Sequence, residues 1–506
     1  MIKEDRMRSG ISRRSFLIGA AGQAAMVTLL AACGGSGSTS APTTAAPAAS
    51  TPAAKPGATT APATAPTTAA PAAAAATPAT AAAVAPTTAA AAAAPSTAAK
   101  AGGAESVLYW DAFSGTNGNA VQALVKQFNS SQQAVTVDYQ YQGSYGDTAQ
   151  KLATALAAKQ APDLVVLSDV WWGKFWLNNT IAPVNDFFQR AKVDPTDYVD
   201  ALWGEGVRNG KQYWPPFARS TQLFYYNKDA YMEAGQDKAP ATWTEWMSYA
   251  PKLLKKNGND VSQYPFLMSN GNSYIAWVFM PFVWEYGGSI SDEQFKIHIA
   301  DAPAVAAGQV WSDWIHKNNW AANPQDVAVD FQNGLGVTGL MSTAALAGIE
   351  KNAKFKVGTA FLPKEKAGGV STGGAGLCVM RGSPQPKQAA AFDYVAFATG
   401  TQGTITWSQS TGYMPVRKSA TDDPKQQAFY KEHPNFKTAV DQLAVTRPQD
   451  WARVNIPNGD QIIGDGVQRF VVKSDPVEQA LKDTAARLEK EGAPIIKQTE
   501  ERMKQG

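Results

Sequence analysis

Cysteine and histidine are nearly missing from this 506-residue chain, which has Cys33 and Cys378, and His298, His316 and His433. Two cysteines allow one disulfide at most, so no disulfide framework holds the fold. No histidine has a second ligand at helical spacing, so neither a metal nor another cofactor is expected. A surplus of one charge is missing too. Lys3, Arg6, Arg8, Arg13 and Arg14 against Glu4 and Asp5 account for the whole formal net charge of +3. The rest of the chain is near neutral and has no basic field for nucleic acid or an anionic membrane surface. A membrane-length apolar run is also absent. The stretch from Phe16 to Ala32 is shorter than the ~20 residues a spanning helix needs, and it contains Gly19, Gly22 and Gln23.

What is present at the start reads as an export signal. A basic head, an apolar stretch and small residues follow one another up to Cys33, the order of a secretory signal peptide. Ser12-Arg13-Arg14-Ser15-Phe16-Leu17 resembles the twin-arginine signal. Leu30-Ala31-Ala32-Cys33 resembles the lipobox of bacterial lipoproteins, in which the cysteine thiol takes up a diacylglycerol and becomes the first mature residue. Each buried methylene of such a chain adds about 0.8 kcal/mol of membrane affinity. The expected location is therefore outside the cytoplasmic membrane, periplasmic or at the cell surface, held by lipid on Cys33. Cys378 then has no partner, and its run Gly376-Leu-Cys-Val-Met380 marks a buried small hydrophobe.

Residues 34–103 are mostly Ala, Pro and Thr, with only Lys55 and Lys100 charged and no aromatic residue. Such a segment cannot bury enough surface to offset its ordering entropy, and the repeated prolines oppose a helical rod. It is expected to be a disordered tether with a reach on the order of 45 Å.

About 400 residues remain, long for one core and suited to two lobes. Val107-Leu-Tyr-Trp110, Val135-Thr-Val-Asp-Tyr-Gln-Tyr141 and Asp163-Leu-Val-Val-Leu167 read as strands. Between them Ala120, Leu124, Val125 and Phe128, then Leu152, Leu156 and Ala157, recur at helical spacing. This β-α-β-α-β order predicts an α/β fold with a mostly parallel sheet and ligand chemistry at the carboxyl ends of its strands, where Tyr145 and Asp169 fall. Residues 476–503 read as helix with a break at Gly492 and Pro494.

Several ordered motifs carry a family resemblance: Tyr141-Gln-Gly-Ser-Tyr145, Ala161-Pro-Asp-Leu-Val-Val-Leu-Ser-Asp169, Pro216-Phe-Ala-Arg-Ser-Thr221, Tyr225-Tyr-Asn-Lys-Asp-Ala230, Thr242-Trp-Thr-Glu-Trp246, Phe331-Gln-Asn-Gly334, Gly373-Gly-Ala375 and Thr411-Gly-Tyr-Met-Pro-Val416. Together they resemble family 1 of the extracellular solute-binding proteins of ABC importers, most of all its glycerol-phosphate-binding branch, across nearly all of 105–506. The resemblance implies a two-lobed periplasmic-binding-protein-like fold. Its ligand cleft lies between the lobes, with three hinge crossings near Thr221–Asn227, Leu340–Thr343 and Thr399–Gly403. The first lobe would comprise 104–222 and 340–401, the second 223–339 and 402–506. Such a protein is a monomer without catalysis of its own, and it hands its solute to a membrane permease driven by a separate ATPase.

Carried over to this sequence, the family's ligand contacts fall on Tyr145, Asp169, Ser220, Ser342, Gly374 and Tyr413. Aspartate and serine can chelate vicinal hydroxyls, tyrosines can stack and donate, and a glycine backbone allows close approach, which together suit a carbohydrate or other polyol. Trp171, Trp172 and Trp277 are added as candidate aromatic faces for sugar rings, Trp214 as a residue near the cleft. The branch's phosphate-binding arginine aligns with Asp460 or an immediate neighbour in Asn455-Ile-Pro-Asn-Gly-Asp-Gln461. An acid there cannot pair with phosphate, so a neutral mono- or oligosaccharide is the first expectation. Glycerol 3-phosphate or a glycerophosphodiester is the alternative, because Arg219, within Pro216–Thr221, and Arg453, just before Asn455, are each able to meet a phosphate.

Enzyme patterns weigh less. Gly369-Val-Ser-Thr-Gly373 matches the hydrolase G-x-S-x-G elbow but runs into a strand rather than a helix. Gly334-Leu-Gly-Val-Thr-Gly339 matches G-x-G-x-x-G far from any opening strand. A secreted glycosidase would need two carboxylates flanking the bond, with Asp169 and Asp460 as the pair.

Overall fold

The computed structural model describes residues 104–269 and 271–504. The expected signal segment, Cys33 and the 34–103 tether lie outside the described residues.

The first lobe grows from the strands the alternation predicts. Glu105–Asp111 pairs in parallel with Val135–Tyr141 on one side and with Leu164–Ser168 on the other. Helix Gly115–Ser131 buries Val121, Leu124, Val125 and Phe128 on one stripe. Helix Tyr145–Ala157 opens on a capping box, in which Ser144 accepts from the Asp147 amide while the Asp147 carboxylate accepts from Ser144 N. Every residue of Leu164–Ser168 is buried, and the pleat divides them. Leu164 and Val166 face a core with Val107, Tyr109 and Phe128, whereas Val165 and Leu167 face a second cluster with Trp172, Trp176, Trp214 and Cys378. Cys378 is thus the buried hydrophobe expected, its thiol pushed up by burial.

Strand Pro216–Asn227 joins the lobes, and all twelve of its residues are buried. Its first half pairs with Val370–Val379, its second half with Gly336–Ser342 and Val357–Ala360. Beyond it, Asp260–Leu267 and helices Asn272–Glu285, Ala302–His316, Gly459–Val471 and Val477–Lys504 enclose a separate core rich in tryptophan, including Trp243, Trp246, Trp277, Trp284, Trp311 and Trp314. Among the described residues no helix is long and apolar enough to cross a membrane.

Two expectations need correction. The lobe boundary at 402 and the crossing near 399–403 fall later. Helix Thr401–Thr411 and the helices up to Gln442 bury Trp407, Tyr413, Tyr430 and Phe436 in the first core. The chain enters the second core only around Asp450, whose carboxylate accepts from Trp284 Nε1. The break at Gly492 and Pro494 is also absent, because Val477–Lys504 is one helix. Gly492 serves close packing instead: a Cβ there would stand 2.8 Å from Ile456 Cδ1.

The two enzyme motifs lie within strands. Ser371 is fully buried in Val370–Val379 and accepts from Gln222 Nε2, and most of the G-x-G-x-x-G run lies in Gly336–Ser342.

Candidate functional site

Where the lobes meet, residues from both line a cavity of about 440 Å³. The first lobe contributes residues at and just beyond the ends of its strands: Ser144, Tyr145, Ser168, Asp169, Val170, Trp171, Ser220, Gly373, Gly374 and Tyr413. The second supplies Ser273, Tyr274, Trp277, Arg453 and Gln461, and Ser342 and Ala344 lie at the hinge. Of the ten expected ligand residues, Tyr145, Asp169, Ser220, Ser342, Gly374, Tyr413, Trp171 and Trp277 are brought together here.

Trp172 and Asp460 are not. Trp172 is buried away from this cavity, stacked on Trp214 at 5.7 Å. It adjoins Trp171 in sequence, but the short helix Trp172–Leu177 turns the two rings in different directions. Trp214 is fully buried as core, its Nε1 donating to Leu167 O at 2.7 Å. Asp460 is buried in the first turn of Gly459–Val471, and its neighbour Gln461 reaches the cavity in its place.

Three phenols give the site its donors. Tyr145 and Tyr413 stand hydroxyl to hydroxyl at 3.4 Å, and Tyr274 OH accepts from Ser342 N at 2.7 Å. Burial is the main reason all three titrate high, Tyr413 at about 12, so each holds its proton at neutral pH. Tyr413 is fixed by stacking on Trp407 at 5.4 Å, and Trp277 by donating Nε1 to Thr372 O at 3.0 Å. Gly374 has φ +102, and a Cβ there would lie 2.0 Å from Ala218 O, so only glycine fits this close approach.

The charged groups form a bridge between the lobes. Asp169 is the cavity's only carboxylate among the described residues. Its Oδ1 accepts from Val170 N at 2.9 Å, and Oδ2 accepts from Gln449 Nε2 at 2.6 Å. Gln449 Oε1 in turn accepts from Arg453, whose guanidinium lies 3.9 Å from Asp169. Arg453 is only 4% exposed, and its Nε–H has no partner among the described residues. An arginine is therefore present in the cavity, seven positions before the place where alignment had put an acid. Arg219 is not part of it: fully buried, it pairs with Glu205 at 2.5 Å and lies over Trp214. Ser273 and Gln449 carried no sequence signal, since both lie outside every motif that supports the resemblance. One carboxylate does not supply the flanking pair a glycosidase uses.

A family model described as bacterial extracellular solute-binding protein matches residues 123–438. The chain belongs to the bacterial extracellular solute-binding proteins. Among relatives, this solute-binding protein is 26% identical over 403 residues to the sn-glycerol-3-phosphate-binding periplasmic protein UgpB of Shigella dysenteriae, covering 75% of this chain and 90% of that one. The Escherichia coli K12 protein of the same name gives 26% over 401 residues, with the same coverage. Among solved structures, UgpB of Mycobacterium tuberculosis in complex with glycerophosphocholine superposes with a TM-score of 0.72 at 33% identity, over 76% of this chain and 98% of that one. Maltose-bound MalE3 of T. maritima superposes with a TM-score of 0.68 at 21% identity, over 76% and 99%, and shares the two-lobed fold.

Proposed function

We propose that this protein is the lipid-anchored binding component of an ABC importer, which captures a glycerol phosphate or glycerophosphodiester between its lobes and delivers it to a membrane permease. The observation that carries this reading is Arg453, a largely buried arginine among the residues that line the cavity. Guanidinium is the usual partner of phosphate because it offers parallel N–H donors. Asp169, Ser220 and the protonated phenols of Tyr145 and Tyr413 suit the hydroxyls of a glycerol unit. A cavity of about 440 Å³ is in the range of small-molecule sites, ~300–1,000 Å³. The glycerol-phosphate binders among the relatives support the same choice.

A neutral mono- or oligosaccharide is the second reading, favoured by Trp171 and Trp277 in the cavity wall. A thermal-shift screen of the purified protein separates the two. A ligand that binds only the folded state stabilises it by about 2.7 kcal/mol at a hundredfold excess over its Kd. Stabilisation by glycerol 3-phosphate or glycerophosphocholine, with none by maltose, supports the phosphate reading; the reverse pattern replaces it with the sugar reading. Recovery of the ligand unchanged after long incubation, followed by NMR, is expected of a carrier without catalysis. Anchoring through Cys33 predicts that Cys33→Ala releases the protein from the membrane fraction and abolishes acyl labelling.

A further inference from the structure

On the far side of the Asp169–Gln449 bridge lies a second interlobe cavity of about 530 Å³, which Asp169 and Gln449 also line. Two arginines reach it from opposite cores. Arg208, on the short strand Val207–Arg208, has its guanidinium 4.5 Å from the ring of Trp172 in the first lobe. Arg447, on Thr446–Arg447, lies 4.5 Å from the ring of Trp284 in the second. Among the described residues neither has a carboxylate ion-pair partner; Arg208 NH1 donates only to the carbonyls of Glu205 and Val207.

The carboxylates nearby are already engaged. Glu205 accepts from Arg219 at 2.5 Å and from Thr372 at 2.7 Å. Asp200 pairs with Lys418 at 3.0 Å, and Asp169 is held by Gln449 and Arg453. Asp450 is within electrostatic range of Arg447, but its oxygens accept from Trp284 Nε1 and Ile290 N. Bonds from neutral N–H groups leave the Asp450 charge in place to offset part of that of Arg447, so the cation most short of counter-charge is Arg208, whose neighbour Glu205 is already paired with Arg219. Burial also lowers the Arg208 pKa to about 10, the response of a cation with too little counter-charge.

We propose that this second cavity is an anion site, in which Arg208 and Arg447 bind a tetrahedral oxyanion such as inorganic phosphate, separate from the solute cavity across the Asp169–Gln449 bridge. The inference does not depend on which solute fills the first cavity. Paired guanidinium groups reaching one space from two sides fit the several acceptor oxygens of such an ion.

The test is calorimetric titration of the full chain with inorganic phosphate, in wild type, Arg190→Gln, Arg208→Gln, Arg447→Gln and Arg453→Gln. Circular dichroism and the melting temperature verify that each variant is folded. Arg447 is exposed along part of its length, so Arg447→Gln is the variant least disturbing to the core. Loss of one charge-assisted contact is expected to weaken phosphate binding ~10-fold or more in Arg447→Gln, while Arg190→Gln, an exposed arginine paired with Asp393 outside both cavity walls, leaves it unchanged, and a saturable site remains in Arg453→Gln. Absence of saturable phosphate binding in wild type overturns the proposal, and so does undiminished binding in Arg447→Gln. Disappearance of all phosphate binding in Arg453→Gln also overturns it, since the ion would then occupy the solute cavity; that result would leave the reading of the first cavity standing.

Discussion

Replacing Arg453 by glutamine tests the ligand reading most directly. Glutamine keeps length and a hydrogen-bond donor but removes the charge. In the folded protein Arg453 is 4% exposed, bonded to Gln449 and 3.9 Å from Asp169. Two effects must be separated. Without ligand, the substitution leaves the Asp169 carboxylate with Gln449 and the Val170 amide as partners, so a stability loss of about 1–3 kcal/mol is expected. With a phosphate-bearing ligand, the variant leaves a desolvated phosphate without its counter-ion, and truncating one side of such a pair costs about 2–5 kcal/mol of binding. At 1.4 kcal/mol per tenfold, that is roughly 30- to several thousandfold in Kd. The assay is calorimetric titration with glycerol 3-phosphate and with glycerophosphocholine, alongside urea unfolding of the free variant. An unchanged Kd for both phosphates in a folded Arg453→Gln protein would refute the assignment. A sugar that binds wild type and is weakened as much as the phosphates would refute it too, by making Arg453 a general clamp.

Three further outcomes rest on the packing. Asp111 is fully buried, and burial raises its carboxyl from 3.8 to about 6 despite hydrogen bonds from Tyr109, Tyr139 and Phe113 N. Its stabilising contribution is therefore complete below pH 3.8 and lost as pH rises to about 6, with a ceiling of about 3 kcal/mol, so urea curves of wild type and Asp111→Asn should converge or cross over that window and not run parallel. Glu285, fully buried with one oxygen bonded to Trp243 Nε1 and the other unpartnered, titrates well above 4.5 for the same reason. Glu285→Gln should melt higher than wild type at pH 7–8 and lose that advantage below about pH 4.5; equal melting temperatures at pH 8 would count against it. Gly374→Ala forces a Cβ to 2.0 Å from Ala218 O at φ +102, so it should abolish ligand binding and lower stability by at least ~1–3 kcal/mol, checked by titration and thermal melting.

The first-lobe half of the site was legible because it arises from local pattern. Strand periodicity over 107–167 fixes where the strands end, and Tyr145 and Asp169 sit just past those ends. Ser220, Gly374 and Tyr413 came from ordered motifs, and the structure brings them to the same wall. The second-lobe half was harder to read. Arg453 meets Asp169 from 284 positions away along the chain, on a five-residue helix with no periodicity to place it. An alignment gap there shifts the register by several residues, and it is Arg453, not Asp460, that lines the cavity. Trp171 and Trp172 differ only in which neighbour receives the ring. Trp214 decides that, and no local rule foretells it. Pro494 reads as a breaker, but the helix runs on past it, and its last turns are tied to the first lobe by Arg502, which donates to Asn179 Oδ1 and lies over Trp176.

Asp169 is placed to couple solute capture to closure of the lobes. It belongs to the first lobe by its strand, and its amide donates to Gly374 O at 2.9 Å, which fixes the carboxylate in place. Its partners Gln449 and Arg453 belong to the second lobe. In this structure they neutralise one another across the cleft, and Arg453 also lines the cavity. A solute that bonds Arg453 together with the first-lobe hydroxyls adds free energy only to a closed state, since the tyrosines and Arg453 surround one volume only there. Moving a population from 1:99 open to 99:1 closed takes about 5.5 kcal/mol of differential affinity. A single charge-assisted phosphate contact of about 1.5–3 kcal/mol does not reach that, but together with hydroxyl contacts to Asp169, Ser220 and the phenols it does. The Asp169–Gln449 contact sets the opposite limit. If it were much stronger, the lobes would close without solute, and the permease could not tell a loaded carrier from an unloaded one.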